Sequence, residues 1–261
     1  MGPPRAAAGG DFPWWLLALG LGLGGAYAAV LLDDGARQVL LTLRRGVWIT
    51  VLVTVVSFAG ACLLGLLLAL MALSGSVAAR QAARLYVEVV RGIPILVLLL
   101  YVAFVLAPGL VAGWNAAGLP AASMRDFPLL WRAVLALVIA YSAFIAEVFR
   151  AGLEAVPRGQ VEAAEALGLG PWLRFRHVVL PQAVRTILPP LGNDFVAMVK
   201  DSSLVSVVGV LDIAQLGKVT AAGNFRYFET YNVVALLYLT MTVALSLGLR
   251  RLERRLDRRQ P

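Results

Sequence analysis

Hydrophobic residues in this chain are grouped in long uninterrupted runs. A helix needs about 20 consecutive, mostly apolar residues to cross the hydrocarbon core of a bilayer. Six runs meet that requirement: Trp14–Leu32, Val47–Leu73, Leu85–Leu106, Leu130–Phe149, Ala183–Gly209 and Tyr231–Leu249. The runs do not alternate between polar and apolar residues, which excludes a transmembrane β-barrel. The pattern therefore predicts an all-α integral membrane protein built as a bundle of six transmembrane helices.

The fifth run differs from the others because polar side chains interrupt it. These are Asn193, Asp194, Lys200 and Asp201. Lys200 and Asp201 are adjacent, so on a helix they point in different directions and do not form a simple pair. The serines that follow, Ser202 and Ser203, can bond to the backbone and break the helix. Transporters build sites near the bilayer midplane from broken helices and polar groups.

The first run has two interpretations. It could be a signal peptide, since Ala26-Tyr27-Ala28 resembles a cleavage site after an apolar stretch. The residues before it, however, carry only Arg5 against Asp11, and the apolar run continues to Leu32. We therefore favour a retained transmembrane helix.

Composition and charge agree with a membrane protein and indicate its orientation. Hydrophobic residues make up 60% of the 261 residues and charged residues 15%, against about half and about a quarter in soluble domains. The net charge is +8. Cytoplasmic loops carry an excess of Lys and Arg, so the tail arginines predict a cytoplasmic C-terminus. Membrane topology thus accounts for the positive charge, and we expect no nucleic-acid partner. The tail arginines are Arg250, Arg251, Arg254, Arg255, Arg258 and Arg259.

Sites for catalysis, metals and nucleotides are missing from the sequence. Gly217-Lys218 resembles the end of a phosphate loop, but Val219 stands where Ser or Thr is required. Cys62 and His177 are each the only residue of their type, so a Cys/His metal site cannot form. We expect a non-catalytic chain that binds no cofactor or metal.

A short helix is predicted in the cytoplasmic loop between the fourth and fifth runs. Pro157 can open this helix, and Gly168 is placed to close it in a left-handed cap. Val161, Ala164 and Leu167 recur at helical spacing, so one face is apolar. By itself, this pattern is equally typical of a surface helix with a solvated acidic face.

The loop as a whole resembles the EAA loop of ABC importer permeases. Glu162-Ala163-Ala164 is followed by Gly168, and then by Val178-x-Leu180-Pro181, in which Val178 replaces the commoner Ile. In that family the helix is the coupling helix, which docks in a groove of the ATPase subunit. The resemblance assigns the coupling role to six residues: Gln160, Glu162, Ala163, Ala164, Leu167 and Gly168.

Further motifs extend the resemblance from about Leu40 to Arg259 and narrow it to the polar amino-acid branch. They are Glu88-x-x-Arg91-Gly92-Ile93-Pro94, Ala146-Glu147-x-x-Arg150, Lys200-Asp201-Ser202-Ser203-Leu204 and Leu252-Glu253-Arg254-Arg255. Ile93 departs from the usual Thr. The family core has five spans, so the first run is extra. The implied division is an N-terminal helix and linker at residues 1–39, a permease domain at 40–250 and a basic tail at 251–261.

The resemblance also implies partners and a location. The chain would work in the bacterial inner membrane beside a second permease copy or a paralogue, with the pore at their interface. ABC ATPase subunits would bind ATP and Mg²⁺, and an extracytoplasmic solute-binding protein would deliver the solute.

Charged side chains at bilayer depth cost several kcal/mol, on the order of 3 on insertion scales, so they persist when paired or functional. Arg91, Asn193, Asp194, Lys200 and Asp201 are our candidates for the substrate path, because an amino acid carries both a carboxylate and an ammonium. The structural alternative for Arg91 is an ion pair with Glu88 within the same helix. Glu147 and Arg150 have the same spacing and could form a similar pair. For Lys200 and Asp201 the alternative is an interhelical lock at the dimer interface.

Three other functions remain as alternatives. An importer of another small polar solute, such as an opine or a cystine-like compound, would share the same motifs. An ion-gradient transporter is disfavoured by the EAA loop and by the lack of a visible inverted repeat. A membrane enzyme is disfavoured because no catalytic constellation is present.

Overall fold

The computed structural model describes residues 14–257, which contain helices and no β-strand. The α-helices are α1 Trp14–Leu32, α2 Asp34–Leu73, α3 Val77–Gly92, α4 Ile95–Tyr101, α5 Ala107–Ala116, α6 Leu129–Glu154, α7 Arg158–Ala166, α8 Pro171–Arg174, α9 Leu180–Asp201, α10 Ile213–Asn224 and α11 Tyr227–Asp257. π-Helical turns at Val102–Leu106 and Phe175–Val179 join α4 to α5 and α8 to α9, and a 3₁₀ helix at Ser202–Val208 follows α9.

Helices α2 and α6 pack along most of their length and form the centre of the bundle. Helix α2 begins where the Asp33 carboxylate accepts a hydrogen bond from Ala36 N at 2.7 Å, and it continues for 40 residues. Small residues let the two backbones approach closely. A Cβ added to Gly65 would lie 3.1 Å from Ser142 O. Between membrane helices, association depends on this kind of close packing because lipid is as apolar as the side chains.

The sequence analysis predicted one continuous span for the third apolar run, but the structure divides this run into two helices. Helix α3 ends at Gly92, Ile93 is extended, and Pro94 starts the next helix. Proline disfavours helical geometry in the residue before it and lacks an N–H for the helical ladder. The apolar helix therefore begins at Ile95 and reaches Ala116 through the π-helical turn, ten residues beyond the predicted end.

The fifth run also ends earlier than predicted, where the two serines stand. The α-helix stops at Asp201, and the Ser202 hydroxyl donates to Val199 O at 2.7 Å as the 3₁₀ helix starts. Gly209 ends that turn at φ 88°. Helix α10, which the sequence analysis did not predict, follows with Asp212 as its N-cap. It was missed because its 12 residues are too short for an apolar span.

Five of the described helices are long and apolar enough to cross a membrane: Trp14–Leu32, Asp34–Leu73, Ile95–Ala116, Leu129–Glu154 and Tyr227–Leu252. Helix α9 has 22 residues, but its charged side chains keep it outside this set. The predicted class, an all-α integral membrane protein, is confirmed.

Helix α1 lies against α11 at the periphery. The Tyr27 hydroxyl is 3.0 Å from Thr240 Oγ1, and the Arg250 guanidinium lies 4.8 Å from the centre of the Trp15 ring. The proposed boundary at residue 39 falls inside α2 and the one at 250 falls inside α11. The division into an extra helix, a permease domain and a tail stays a prediction, and residues 258–261 of the tail lie outside the described residues.

The contact between α2 and α10 gives a stability prediction. A Cβ at Gly46 would lie 2.7 Å from Asp212 C and Ile213 N, which are backbone atoms that cannot rotate away. We expect Gly46→Ala to lower the free energy of unfolding in detergent by about 1–3 kcal/mol, as overpacking does. Gly109→Ala is the matched control, because its added methyl meets open space. Equal melting temperatures for the two variants would contradict the packing.

Candidate functional site

Polar residues of α9 lie on two sides of the helix. Asp194 and Asp201 are seven residues apart and therefore share a face. That face meets α6, where the Tyr141 hydroxyl donates to Asp201 Oδ2 at 2.7 Å. Asp194 lies close enough to interact electrostatically with Tyr141, and its Oδ2 is buried without a hydrogen-bond partner. The two carboxylates thus flank one tyrosine.

Asn193 and Lys200 form the second pair on α9, again seven residues apart. Both are exposed in the protomer. Lys200 lines a groove between α1, α9 and α11, together with Trp15 and Ser246. Lys200 and Asp201 therefore point to different sides of the helix, as predicted.

Arg91 reaches the same face of α6 from α3. Its guanidinium lies 5.5 Å from the centre of the Phe144 ring, and Phe144 lies 6.1 Å from the Tyr141 ring. A row of contacts thus runs from Arg91 through two rings to Asp201. The suggested ion pair between Arg91 and Glu88 is not formed among the described residues. Arg91 is therefore a cation with an aromatic neighbour and an exposed surface.

Next to this row, a charged groove of 470 Å³ lies between α2, α3 and α6. Its charged lining residues are Arg84, Glu88, Arg91, Glu147, Arg150 and Glu154. Arg150 bonds to Glu147 at 2.6 Å and to Glu154 at 2.7 Å, so the ion pair predicted within α6 is present. Charges of both signs with an open side suit a small zwitterionic solute.

The loop that resembles an EAA loop folds as the sequence predicts. Helix α7 starts after Pro157, and Gly168 takes the left-handed conformation at φ 77°. Gly168 N donates to Glu165 O and Leu169 N donates to Ala164 O, the paired bonds of a Schellman cap. The helix has nine residues rather than about three turns.

The residues assigned to coupling are divided between two faces of α7. Ala164 is buried against the protein, and Gln160 accepts a hydrogen bond from Gln182 of α9. Glu162, Ala163 and Leu167 are exposed, and Leu167 retains 82% of its surface. An apolar side chain this exposed beside polar neighbours is available for contact with another protein.

The structure also contains a buried polar cluster that sequence reasoning missed. The Asp212 side chain is fully buried and accepts from the Tyr238 hydroxyl at 2.9 Å and from Gln215 N at 2.8 Å. Thr50 Oγ1 accepts from Ile213 N at 3.3 Å. The cluster joins α2, α10 and α11. Asp before an apolar helical stretch is an N-cap signal, which could have located Asp212 but not its partners.

No metal site is formed within residues 14–257, where groups of three or more His, Cys, Asp or Glu are absent. The polar groups of α9 are suited to hydrogen bonding and charge pairing.

Comparison with known proteins identifies the class of transporter. Residues 61–260 match the family described as "Binding-protein-dependent transport system inner membrane component". The glutamine transport system permease protein GlnP of Escherichia coli K12 is 38% identical over 229 residues, which cover 88% of this chain and 94% of GlnP. The nopaline transport system permease protein NocQ of Agrobacterium fabrum is 35% identical over 213 residues, 81% of this chain and 89% of NocQ.

A solved structure, "Crystal structure of an amino acid ABC transporter with histidines", is similar in fold and sequence. Its TM-score is 0.70 at 36% identity, over 82% of this chain and 94% of the solved one. The family model covers more than half of the chain, and its match includes the loop around α7 and the polar helix α9. This chain therefore belongs to the family of binding-protein-dependent transport system inner membrane components.

Proposed function

We propose that this chain is the permease subunit of an ATP-driven importer for polar amino acids. The observation that carries the proposal is the capped helix α7, which lies within the part of the chain that matches the family, in a chain whose relatives include a glutamine permease. A short rigid helix between two membrane helices can transmit the motion of a partner as a rigid-body displacement.

The substrate path in this proposal is the polar region around α9. Asp194 and Asp201 would bind the ammonium of an amino acid at one point of the path and Arg91 its carboxylate at another, because charge-assisted hydrogen bonds are the strong ones. Asn193 and Lys200 would contribute from the exposed face of α9. Support comes from the buried Asp194 oxygen without a partner and from the uncovered Arg91 guanidinium.

The partners follow from the surfaces that the protomer leaves open. Glu162, Ala163 and Leu167 are exposed on α7 and would meet an ABC ATPase, which would bind and hydrolyse ATP with Mg²⁺. A second permease copy or a paralogue would complete the pore, and a solute-binding protein would deliver the amino acid outside. The arginines at the end of α11 support a cytoplasmic C-terminus, which would belong to a bacterial inner-membrane protein.

An opine importer is the second candidate, and the similarity to a nopaline permease favours it over other solutes. An opine is an amino-acid derivative, so the same charged groups could bind it. The size of the space beside α9 would distinguish the two solutes.

Transport by the reconstituted complex is the direct test. We expect uptake of a polar amino acid into proteoliposomes to require both ATP and the ATPase subunit, since this chain has no phosphate loop. Glutamine and nopaline should be compared at equal concentration with the cognate binding protein. Uptake driven by an ion gradient in the absence of the ATPase would contradict the proposal.

Gly168 tests the coupling role. Gly168→Asp places a charge beside the exposed Leu167 in a left-handed position, so we expect weaker co-purification of the ATPase and at least about a tenfold loss of transport per ATP. Gly168→Asn keeps the shape without the charge and should retain most coupling, because Asn tolerates this conformation.

The matched control for this test is Gly118→Asp. Gly118 has φ 74° and open space around it, in the loop between α5 and α6 at the opposite end of α6 from α7. The control should leave ATPase binding unchanged. Equal ATPase binding by Gly168→Asp and wild type would end the coupling assignment.

Lys200 tests the substrate path. Lys200→Met keeps the length and removes the charge, so transport should fall about tenfold or more if the ammonium contacts the solute, the loss of one charged hydrogen bond. A lock between protomers would instead lower the melting temperature of the dimer. Lys218→Met is the control, since Lys218 is exposed on α10. Unchanged transport and melting temperature for Lys200→Met would remove Lys200 from both roles.

A further inference from the structure

The cytoplasmic ends of α6 and α9 form a small separate core with the loop around α7. Val156, Ala183 and Ile187 are its buried residues. The α6 backbone approaches α9 so closely that a Cβ on Gly152 would overlap the Ile187 side chain. Packed groups of this kind move together because interiors deform little. The loop, the end of α6 and the start of α9 are therefore one mechanical unit.

Polar contacts attach α7 to this unit near both of its ends. Near the start of α7, Gln182 Nε2 donates to Gln160 Oε1 at 2.5 Å, and also to Val178 O at 2.8 Å. Near the end of α7, Glu165 forms an ion pair with Arg174 at 2.8 Å. The Gln160 contact is a side-chain hydrogen bond that joins α7 directly to α9, in addition to the apolar packing of Val161, whereas Arg174 belongs to α8.

The face of α9 that carries Gln182 leads to the candidate substrate path. Gln182, Thr186, Asn193 and Lys200 are separated by four, seven and seven residues, so they follow one side of the helix. Gln182 at the base of α9 therefore lies on the same side of the helix as Asn193 and Lys200.

Two irregular features flank the base of α9. Pro189 and Pro190 lie inside the helix and remove two backbone donors, so the carbonyls of Arg185 and Thr186 lose their helical hydrogen bonds. The π-helical turn at Phe175–Val179 lies directly before α9, and turns of this type are common at functional sites.

We propose that the hydrogen bond between Gln160 and Gln182 is the positioning contact that makes α9 follow α7 during the transport cycle. The apolar contacts of this core are non-directional, whereas a hydrogen bond is directional and short and therefore sets the register of the two helices. This inference rests on the proposed function, because it requires an ATPase that moves α7. Gln182 acts through α9 and touches no substrate.

The test removes the donor without changing the shape of either side chain. In Q160E or Q182E one amide and one carboxylate remain, so one donor–acceptor pair survives. In Q160E/Q182E two carboxylates face each other, and no donor is left at neutral pH. We expect solute transported per ATP in proteoliposomes to fall at least about tenfold below the product of the two single effects, the excess expected for contacting residues.

Two further variants separate a lost contact from added charge. Q81E/Q160E adds the same total charge, but Gln81 is exposed on α3. Its effect on transport per ATP should equal the product of the effects of Q81E and Q160E. Q160E/Q182K restores a donor and an acceptor and should recover the transport ratio. If Q160E/Q182E cannot be isolated, Q160K/Q182K, which lacks an acceptor, replaces it.

The outcomes are distinct. Multiplicative effects in the double variant, or a Q160E/Q182K ratio as low as that of Q160E/Q182E, would overturn the positioning role of Gln182. Absence of ATP-dependent uptake by the wild-type complex would instead overturn the proposed function.

Discussion

The close approach of α2 and α6 determines where the polar groups of this protein can lie. Small residues such as Gly65 bring the two backbones together, and α6 becomes the most buried of the candidate spans. One side of α6 is used in this contact. The adjacent side presents Tyr141 and Phe144, which receive Asp201 from α9 and Arg91 from α3. Nearer the start of α2, the Gly46 backbone meets the start of α10, where Asp212 is buried.

Interruptions of the helices have the same physical origin throughout. Inside a bilayer every backbone group requires a partner, so a helix can break only where protein or a cavity supplies one. Pro94 separates α3 from α4 next to the groove that Arg91 lines. Ser202 follows the last residue of α9, and its hydroxyl donates a hydrogen bond to Val199 O. Both breaks lie next to charged residues. Polar side chains and irregular backbone therefore occur together in this chain.

The two halves of the proposed mechanism are connected by α9. Its base belongs to the packed unit around α7, and its upper part carries the carboxylates and the amine at the candidate path. Membrane helices without such a base could bind a solute but could not respond to a cytoplasmic partner.

The sequence by itself determined the all-α class, four of the apolar spans, the capped loop helix and the polar character of α9, because each depends on local composition and spacing. Gly168 illustrates this, since its left-handed cap is a property of neighbouring residues. The sequence could not determine which polar residues meet. Asp201 bonds to Tyr141 60 positions away, Asp212 to Tyr238, and Arg91 contacts Phe144 rather than Glu88. Those partners are chosen by the packing of helices, in which a buried polar group takes whichever donor the tertiary structure brings within reach.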